Sequence, residues 1–302
     1  MTDKTIFDAI IIGGSYAGLS SALVLGRSLR NVLVIDSGRP CNRQTPHSHN
    51  FLTQDGKTPK EISTIAKQQV EKYKTVQFYD GLAVSGKKND VGFEIATHSG
   101  DIFNSKKLIF ASGIKDMMPN IKGFSSCWGI SVIHCPYCHG YEFHGKKTGI
   151  IANGDKAIHL ASLVNNLTKN ITLFTVGKAD FNTEQIEKLN KHKINIIETE
   201  IDEIVHEKGY LNNVVLNNGE KLTFDALYAS LPFSQNSDIP STLGCKLTEH
   251  GHIETDGFQK TTIEGVYACG DNTTFMRSVA NAVFSGNLTG AVVNGELVNE
   301  QF

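Results

Sequence analysis

The sequence lacks an excess of charge of either sign, because 29 Lys and Arg residues stand against 31 Asp and Glu residues among 302. Without a basic field the chain has no general attraction for nucleic acid, and it has no acidic tail. It also lacks an apolar run that approaches the ~18 residues of a membrane span. We therefore expect a soluble protein with no nucleic-acid or membrane partner.

A secretory signal is missing as well. The opening stretch MTDKTIFDAIIIGG passes from a short apolar run straight into a glycine turn, without the charged start, longer apolar region and cleavage site of a signal peptide. This favours a cytoplasmic location. The six cysteines are too sparse for a disulfide scaffold, and a close pair in a reducing compartment indicates catalysis or metal binding.

What is present begins with a nucleotide-binding pattern. The segment FDAIIIGGSYAGLSSALVLGRSLRNVLVIDSG predicts a strand, a glycine turn, a helix from about Ala17 to Arg30 and a second strand. That strand ends in an acid placed to accept a hydrogen bond from a ribose, and the turn brings backbone amides to a pyrophosphate. A serine replaces the middle glycine, and a turn without a ligand is disfavoured by the correctly spaced acid. The predicted contacts are Gly13, Gly14, Ser15, Ala17, Gly18 and Asp36.

A second unit of the same shape starts near residue 146, in KKTGIIANGDKAIHLASLVNNLTKNITLFTVGK. Each half then continues with a hairpin, around Ser99-Gly100 and Asn218-Gly219, and an apolar strand that ends in Ala-Ser. We interpret this as an internal repeat of two Rossmann-like three-layer nucleotide-binding domains, in a chain of the α/β class. The charged stretch at 182–193 is predicted to be a solvated helix.

The C-terminal region supplies a third motif. GVYACGD places Asp271 at the end of a buried strand, and a long helix rich in small residues follows. A carboxylate in that position can accept hydrogen bonds from the ribityl or ribose hydroxyls of a flavin cofactor.

The central stretch HCPYCHGYE contains two cysteines two residues apart with histidines on both sides. It can be a redox pair, a zinc site that also uses His134, His139 or His144, a c-type haem attachment site, or a pair of structural thiols. Haem attachment is disfavoured by the missing signal peptide. Zinc is disfavoured because there is no second C-x-x-C and no H-x₃-H cluster, so redox chemistry is the favoured interpretation and no metal is predicted.

The motifs IIGGSYAG, IFASG, the central C-x-x-C and GVYACGD occur in the order found in low-molecular-weight thioredoxin reductases, which the chain resembles over nearly its whole length. The resemblance implies FAD bound by residues 1–115 and 244–302, with residues 116–243 forming an inserted NAD(P)-like domain that carries the cysteines. Further cofactor contacts implied for this chain are Asn42, Arg43, Ala111, Ser112, Gly113, Gly270, Asp271, Ser278 and Val279.

CPYCHGYE is most similar to the branch that includes the dithiol oxidases of the gliotoxin and holomycin type. The resemblance implies that Cys135 and Cys138 form a disulfide that exchanges two electrons with the flavin. His139 stands where thioredoxin reductases have a proton-donating Asp, and an imidazole can serve as acid or base. The implied partner is a thioredoxin-like protein or a small dithiol or disulfide, and the implied assembly is a homodimer. The roles of His47, His49 and His134 stay open.

The sequence departs from the family in the middle domain. The turn that should bind NADPH begins with Ala152 instead of glycine, and Thr175, Val176 and Gly177 stand where arginines would hold the 2′-phosphate, with Lys178 as the nearby cation. We therefore expect inefficient use of NADPH and an electron acceptor such as O₂. The alternatives are an NADPH-dependent or NADH-dependent thioredoxin (disulfide) reductase, and a flavoprotein whose middle domain has become a binding or sensing module.

Overall fold

The computed structural model describes residues 6–302, and its contacts divide the chain into two compact units. Unit 1 comprises the residues up to 43, 51–115 and 233–302, and unit 2 comprises 44–50 and 116–232. Two boundaries differ from the expected ones. Residues 233–243 lie in unit 1, because Ile239 is buried in a core cluster of that unit. Residues 44–50 lie in unit 2, where the His49 imidazole pairs with the Glu142 carboxylate.

The strands are β1 Ile6–Ile12, β2 Val32–Asp36, β3 Val76–Asp80, β4 Ala83–Asn89, β5 Gly92–Thr97, β6 Ile102–Phe110, β7 Ile114–Asp116, β8 Val132–Ile133, β9 Thr148–Ile151, β10 Ile171–Phe174, β11 Asn195–Ile197, β12 Ile201–Glu207, β13 Tyr210–Leu216, β14 Lys221–Thr223, β15 Ala226–Ala229, β16 Phe233–Gln235 and β17 Val266–Ala268. The helices are α1 Tyr16–Arg27, α2 Pro59–Val70, α3 Phe124–Cys127, α4 Pro136–His139, α5 Gly154–Val164, α6 Thr183–Lys191, α7 Ile239–Thr242 and α8 Val279–Gln301, with a 3₁₀ turn at Tyr141–Phe143.

Unit 1 is built on a seven-stranded sheet in the order β3-β2-β1-β6-β5-β4, with β17 also paired to β6. β1 runs parallel to β2 and β6, whereas β4, β5 and β6 form antiparallel hairpins. Ile10 and Ile11 are adjacent in β1 and both fully buried, since the sheet is covered on both faces. The fold class is therefore α/β, as the sequence predicts.

Helix α1 packs against the long C-terminal helix α8 at very short range. A β-carbon added at Gly286 would lie 2.1 Å from the Ala17 carbonyl oxygen, so only glycine permits this approach. α1 ends at Arg27, three residues before the predicted end, because Leu29 adopts φ 58°, which a helix cannot contain. Neither α8 nor another helix within residues 6–302 is long and apolar enough to cross a membrane.

Unit 2 repeats the same β-α-β order. Its five-stranded sheet runs β11-β10-β9-β15-β8 with parallel pairing throughout, and β12, β13 and β14 form a separate antiparallel sheet. α6 falls within the predicted charged helix and begins with a capping box between Asn182 and Gln185. The register is equivalent in the two units: Ile12 pairs with Ile35 in unit 1, and Ile151 pairs with Phe174 in unit 2.

Candidate functional site

The glycine turn of unit 1 requires glycine for two separate reasons. Gly13 has φ 106°, and a β-carbon there would meet the Ala111 carbonyl oxygen at 2.3 Å. A β-carbon at Gly18 would lie 1.8 Å from the Gly13 carbonyl oxygen. The turn therefore folds tightly back onto the ends of β6 and α1, which brings backbone amides together at one point.

The amino end of α1 is open to a ligand. Ser15 is the N-cap residue but makes no side-chain capping hydrogen bond, and the first turn contains no acidic residue. A helix begins with several amides that have no partner within the helix, and its dipole favours an anion at that end. Gly14 at the turn and Ala17 in the first helical turn lie at this end of the helix, where a pyrophosphate is expected.

Asp36 lies where the second strand ends, as the spacing predicts. Its Oδ1 accepts a hydrogen bond from the Gly14 amide at 3.0 Å, which fixes the carboxylate beside the turn. A carboxylate held next to a phosphate-binding turn can receive the hydroxyl groups of a ribose. The structure thus brings the predicted glycines and the predicted acid into one place within unit 1.

The strand end at Ala111, Ser112 and Gly113 adjoins this turn. Ser112 Oγ is buried and has no hydrogen-bond partner within residues 6–302. A buried hydroxyl without a partner is costly, and a bound cofactor can supply the missing hydrogen bond. Asn236 fixes the same strand end, since its Nδ2 donates to the carbonyl oxygens of Ser112 and Ile114 at 3.1 and 3.2 Å.

The C-terminal motif forms a cluster of polar contacts near the start of α8. The Gly270 amide donates to Ser285 Oγ at 3.0 Å, and Asp271 Oδ2 lies 3.6 Å from the Arg277 guanidinium. The Cys41 thiol is also 3.9 Å from that carboxylate oxygen. Ser278 caps α8 through the Asn281 amide, and Val279 is the first helical residue. The sequence analysis missed Arg277, although a cation shortly after the Gly-Asp turn was a signal for it.

Asn42 and Arg43, the two predicted flavin contacts in the loop after β2, differ in their surroundings. Asn42 Nδ2 donates to the Tyr16 hydroxyl at 3.3 Å, so this residue is tied to the start of α1. Arg43 is exposed and its Nη1 donates to the Pro40 carbonyl at 3.2 Å. A role for both in holding the flavin stays a prediction.

The two central cysteines lie on the short helix α4 in unit 2. Cys135 is its N-cap residue, Pro136 follows at the first helical position, and the Cys138 amide donates to Cys135 Sγ at 3.2 Å. An amide that donates to a sulfur favours its thiolate form, which is the nucleophilic form of cysteine. The local fold therefore holds the two cysteines one helical turn apart and prepares Cys135 for thiol chemistry.

His139 is the last residue of α4 and directly follows Cys138. Its pKa lies below the ordinary value because burial disfavours the charged ring; the Glu142 carboxylate acts in the opposite direction, and His49 lowers the pKa further. The ring is accordingly neutral near pH 7 and can accept a proton from a thiol.

Two further histidines of unit 2, His49 and His134, have different surroundings. His49 Nε2 lies 3.3 Å from Glu142 Oε1, and its ring meets the His139 ring edge-on at a centroid distance of 6.4 Å. His134 instead lies against Trp128, with ring centroids 6.0 Å apart. Within residues 6–302, no three His, Cys, Asp or Glu side chains are placed to share a metal ion.

The corresponding turn of unit 2 is closed by its own side chains. Asn153 caps α5: its Oδ1 accepts from the amides of Gly154 and Asp180, both at 2.9 Å, and its Nδ2 donates to the Lys178 carbonyl at 2.9 Å. The Gly154 amide at the start of α5 is thereby engaged with a protein side chain.

Acidic groups gather around the same turn. Asp155 lies in the first turn of α5, and the Glu198 carboxylate accepts a hydrogen bond from the Ala179 amide at 2.7 Å. Negative charge next to a helix start disfavours a bound phosphate by direct repulsion. The first turn of α1, in contrast, contains no acidic residue.

The equivalent register identifies the residue of unit 2 that corresponds to Asp36. Because Ile35 and Phe174 occupy equal positions, Asp36 corresponds to Thr175. The Thr175 hydroxyl donates to the Gly177 carbonyl at 2.7 Å, and the side chain is 5 % exposed. Unit 2 therefore has neither a ribose-binding acid nor a 2′-phosphate-binding arginine at this position.

Comparison with known proteins places this arrangement in a family. Residues 7–286 match the pyridine nucleotide-disulphide oxidoreductase family, and the chain belongs to it. The family and the thioredoxin reductases within it use FAD, so the chain is a thioredoxin reductase-like FAD-dependent oxidoreductase that acts on thiol or disulfide groups.

Individual relatives agree with this assignment. The chain is 32 % identical to the thioredoxin reductase tcpT of Claviceps purpurea, over 99 % of this chain and 96 % of that protein. An oxidoreductase from Agrobacterium tumefaciens is 37 % identical with a TM-score of 0.91, covering 97 % of this chain and 99 % of that one. The crystal structure of HlmI has a TM-score of 0.93 at 26 % identity, covering 100 % of this chain and 95 % of that one.

Proposed function

We propose that the protein is a dithiol oxidase in which Cys135 and Cys138 exchange two electrons with an external dithiol, and that NADPH is not an efficient electron donor. The observation that carries this proposal is the contrast between an open nucleotide turn in unit 1 and a turn in unit 2 closed by Asn153. The same contrast supports the domain assignment in this proposal, in which unit 1 binds the flavin and unit 2 carries the thiol chemistry.

The residues of unit 1 fit FAD by their own chemistry. Gly13 and Gly18 leave room for a pyrophosphate, Asp36 is fixed for a ribose, and Ser112 offers a buried hydroxyl that needs a partner. Asp271 and Arg277 add a charged pair beside the start of α8. Bound FAD would supply a two-electron acceptor for the cysteine pair.

The thiol exchange can be balanced at the cysteines. A thiolate of the external dithiol attacks one sulfur of the Cys135–Cys138 disulfide, and its second thiolate then closes a disulfide on the substrate. One S–S bond breaks and one forms, so two electrons pass to the protein pair. Of the two protons on the dithiol, one stays on a cysteine thiol and one is accepted by the neutral His139 ring, while Cys135 is left as a thiolate that accepts from the Cys138 amide.

The case against NADPH depends on several neighbouring groups rather than on one missing residue. The amides of Gly154 and Asp180 are taken by Asn153, and Asp155 adds negative charge at the first turn of α5. Each charge-assisted hydrogen bond that a site fails to make costs about 1.5–3 kcal/mol, so two such losses weaken binding by roughly two to four orders of magnitude.

A second function has support from the relatives. The protein from Claviceps purpurea carries the name thioredoxin reductase, so an NADPH-dependent disulfide reductase is the alternative. The two functions share the flavin and the cysteine pair, and they differ in the direction of electron flow and in the donor.

An anaerobic titration separates these functions. The purified holoenzyme is mixed in a stopped-flow instrument with dithiothreitol, NADPH or NADH, and the flavin absorption near ~450 nm is followed, as expected of a bound flavin dinucleotide. Dithiothreitol is expected to bleach the flavin faster than either nucleotide, and admission of O₂ should restore the colour. Millisecond bleaching by micromolar NADPH would overturn the proposal and favour the reductase.

A further inference from the structure

Three imidazoles in unit 2 form a row that the exchange reaction does not yet explain. The ring centroids of His139 and His49 are 6.4 Å apart, and those of His49 and His47 are 6.3 Å apart. His139 and His49 are half-buried, and His47 is exposed. The row therefore leads from the residue that follows Cys138 to the protein surface.

The spacing of the row suits proton transfer. The His139–His49 pair is T-shaped with an interplanar angle of 84°, an arrangement that aromatic rings favour at centroid distances of about 4.5–7 Å. At these centroid distances the ring nitrogens of neighbouring histidines cannot hydrogen-bond to each other directly, so a bridging water has to carry the proton between them. Imidazole is also the side chain whose proton affinity is matched to near-neutral water.

One carboxylate is placed to balance the charge of this row. Glu142 Oε1 lies 3.3 Å from His49 Nε2, and 39 % of the Glu142 side chain is exposed. A single carboxylate compensates one imidazolium, and two imidazolium rings at this separation repel each other. The row is therefore built to hold one proton at a time, shared between His139 and His49.

We propose that His139, His49 and His47 form a proton exit path from the cysteine pair to solvent, with Glu142 as its counter-ion. This inference rests on the proposed thiol–disulfide exchange. In that reaction a dithiol loses two protons while the reduced pair keeps one thiol and one thiolate, so one proton per exchange has to leave the site. His139 receives it, His49 takes it over beside Glu142, and His47 releases it to water.

Two other titratable side chains close to the cysteine pair have different surroundings from the three histidines of the row. Tyr228 lies within the influence of Cys135 and Glu142, but burial raises its pKa and keeps its hydroxyl protonated. His134 packs against Trp128. Charged groups that act on His139 are Glu142 and His49, which shift its pKa up and down respectively, after the larger lowering caused by burial.

The first test follows proton release. Oxidised holoenzyme is mixed with dithiothreitol in weakly buffered solution containing a pH indicator, and proton release is compared with the flavin signal in a stopped-flow instrument. His49→Asn should slow proton release by about a hundredfold, the low end for loss of a positioned proton-transfer group, and added imidazole should restore it. His47→Asn should have a smaller effect, and His159→Asn, an exposed histidine on α5, serves as the matched control.

The second test is independent of turnover. His139 is titrated by NMR in the wild type and in variants. Glu142→Gln should lower the His139 pKa, His49→Asn should raise it, and the double variant should fall between them. Two results would overturn the path. One is slow proton release by the His49→Asn protein that added imidazole does not restore. The other is a His139 pKa that fails to shift in opposite directions in the Glu142→Gln and His49→Asn proteins. A cysteine pair that fails to react with dithiothreitol would instead count against the proposed function, with the NMR titration still judging the path.

Discussion

The two β-α-β repeats of this chain share a register but treat their nucleotide turns in opposite ways. In unit 1 the N-cap residue Ser15 makes no side-chain capping hydrogen bond to α1, and the Asp36 carboxylate lies beside the turn, where it accepts from the Gly14 amide. In unit 2 Asn153 caps α5 and links it to the following loop, and Thr175 occupies the place of the acid. A shared fold therefore says little about which ligand each repeat binds, since a few side chains at the turn decide it.

The difference also shows that two repeats of one fold can have different roles. Unit 2, whose turn is closed, also has a buried parallel sheet, and its cysteine pair lies on α4, which follows β8 instead of β9. In unit 1, Gly286 lets α8 approach Ala17 in the first turn of α1, next to the predicted cofactor-binding turn. On this account the units divide cofactor binding and thiol chemistry between them.

The largest effect is expected at the cysteines. Cys135→Ser and Cys138→Ser should each abolish thiol–disulfide exchange, because serine cannot form the disulfide that carries two electrons. FAD content, measured by absorption after gel filtration, should stay at the wild-type level because the cysteines lie in unit 2. Cys127→Ser, at a buried cysteine elsewhere in unit 2, serves as a control for the loss of a thiol. Full turnover by either active-pair variant would place the chemistry elsewhere.

The second prediction concerns a variant in which the glycine turn of unit 1 is made more like the corresponding turn of unit 2. Gly13 corresponds to Ala152, so Gly13→Ala introduces the residue that unit 2 already has. The added carbon would lie 2.3 Å from the Ala111 carbonyl oxygen at φ 106°, and such overpacking costs about 1–3 kcal/mol. We expect FAD binding roughly tenfold to a hundredfold weaker, measured by fluorescence titration of apoprotein.

A matched glycine in the same unit provides the control for this measurement. Gly257 has open space around its β-carbon position and no positive φ, so Gly257→Ala should bind FAD as the wild type does. Equal affinity of the Gly13→Ala protein and this control would show that the tight turn does not hold the cofactor.

Much of this comparison was accessible from the sequence, because it rests on local rules. The spacing of Gly13, Gly18 and Asp36 follows from the geometry of a strand, a turn and a helix, and the missing glycine at Ala152 is visible directly. The repeat and the α/β class follow from the same periodicity.

Other features depend on contacts between segments that are distant in the sequence. They could not be predicted from short stretches of the sequence. The His49–Glu142 pair joins two residues that are far apart in the sequence and that both belong to unit 2. The hydrogen bonds that Asn153 makes to the loop at 178–180 are of the same kind. Short-range patterns predict the type of an element, whereas these pairings are decided by tertiary packing.

The third prediction opens the closed turn. The variant Ala152→Gly, Asn153→Gly, Thr175→Asp removes the capping side chain and restores an acid at the position equivalent to Asp36. One regained hydrogen bond to a charged group is worth about 1.5–3 kcal/mol, so NADH should bind at least roughly tenfold more tightly. Isothermal titration measures the gain, and the double variant that keeps Thr175 isolates the acid. No gain in either protein would mean that other parts of unit 2 exclude the nucleotide.

The smallest expected effect is a dependence on pH. The measured quantities are the rates at which dithiothreitol reacts with the oxidised cysteine pair of the wild type and of the His139→Asn protein. Burial holds the His139 pKa below its ordinary value, so the neutral, proton-accepting ring predominates at neutral pH. The ratio of the two rates should therefore stay constant as the pH falls to about 6.5 and decline, by a few-fold, only as the pH passes through the lowered pKa. The same shift makes the unfolded chain bind this proton more readily, so the free energy of unfolding should also fall as the pH drops below about 6.5. A ratio that already declines above that pH would mean that His139 is charged in the folded protein, and that a different group accepts the proton of the dithiol.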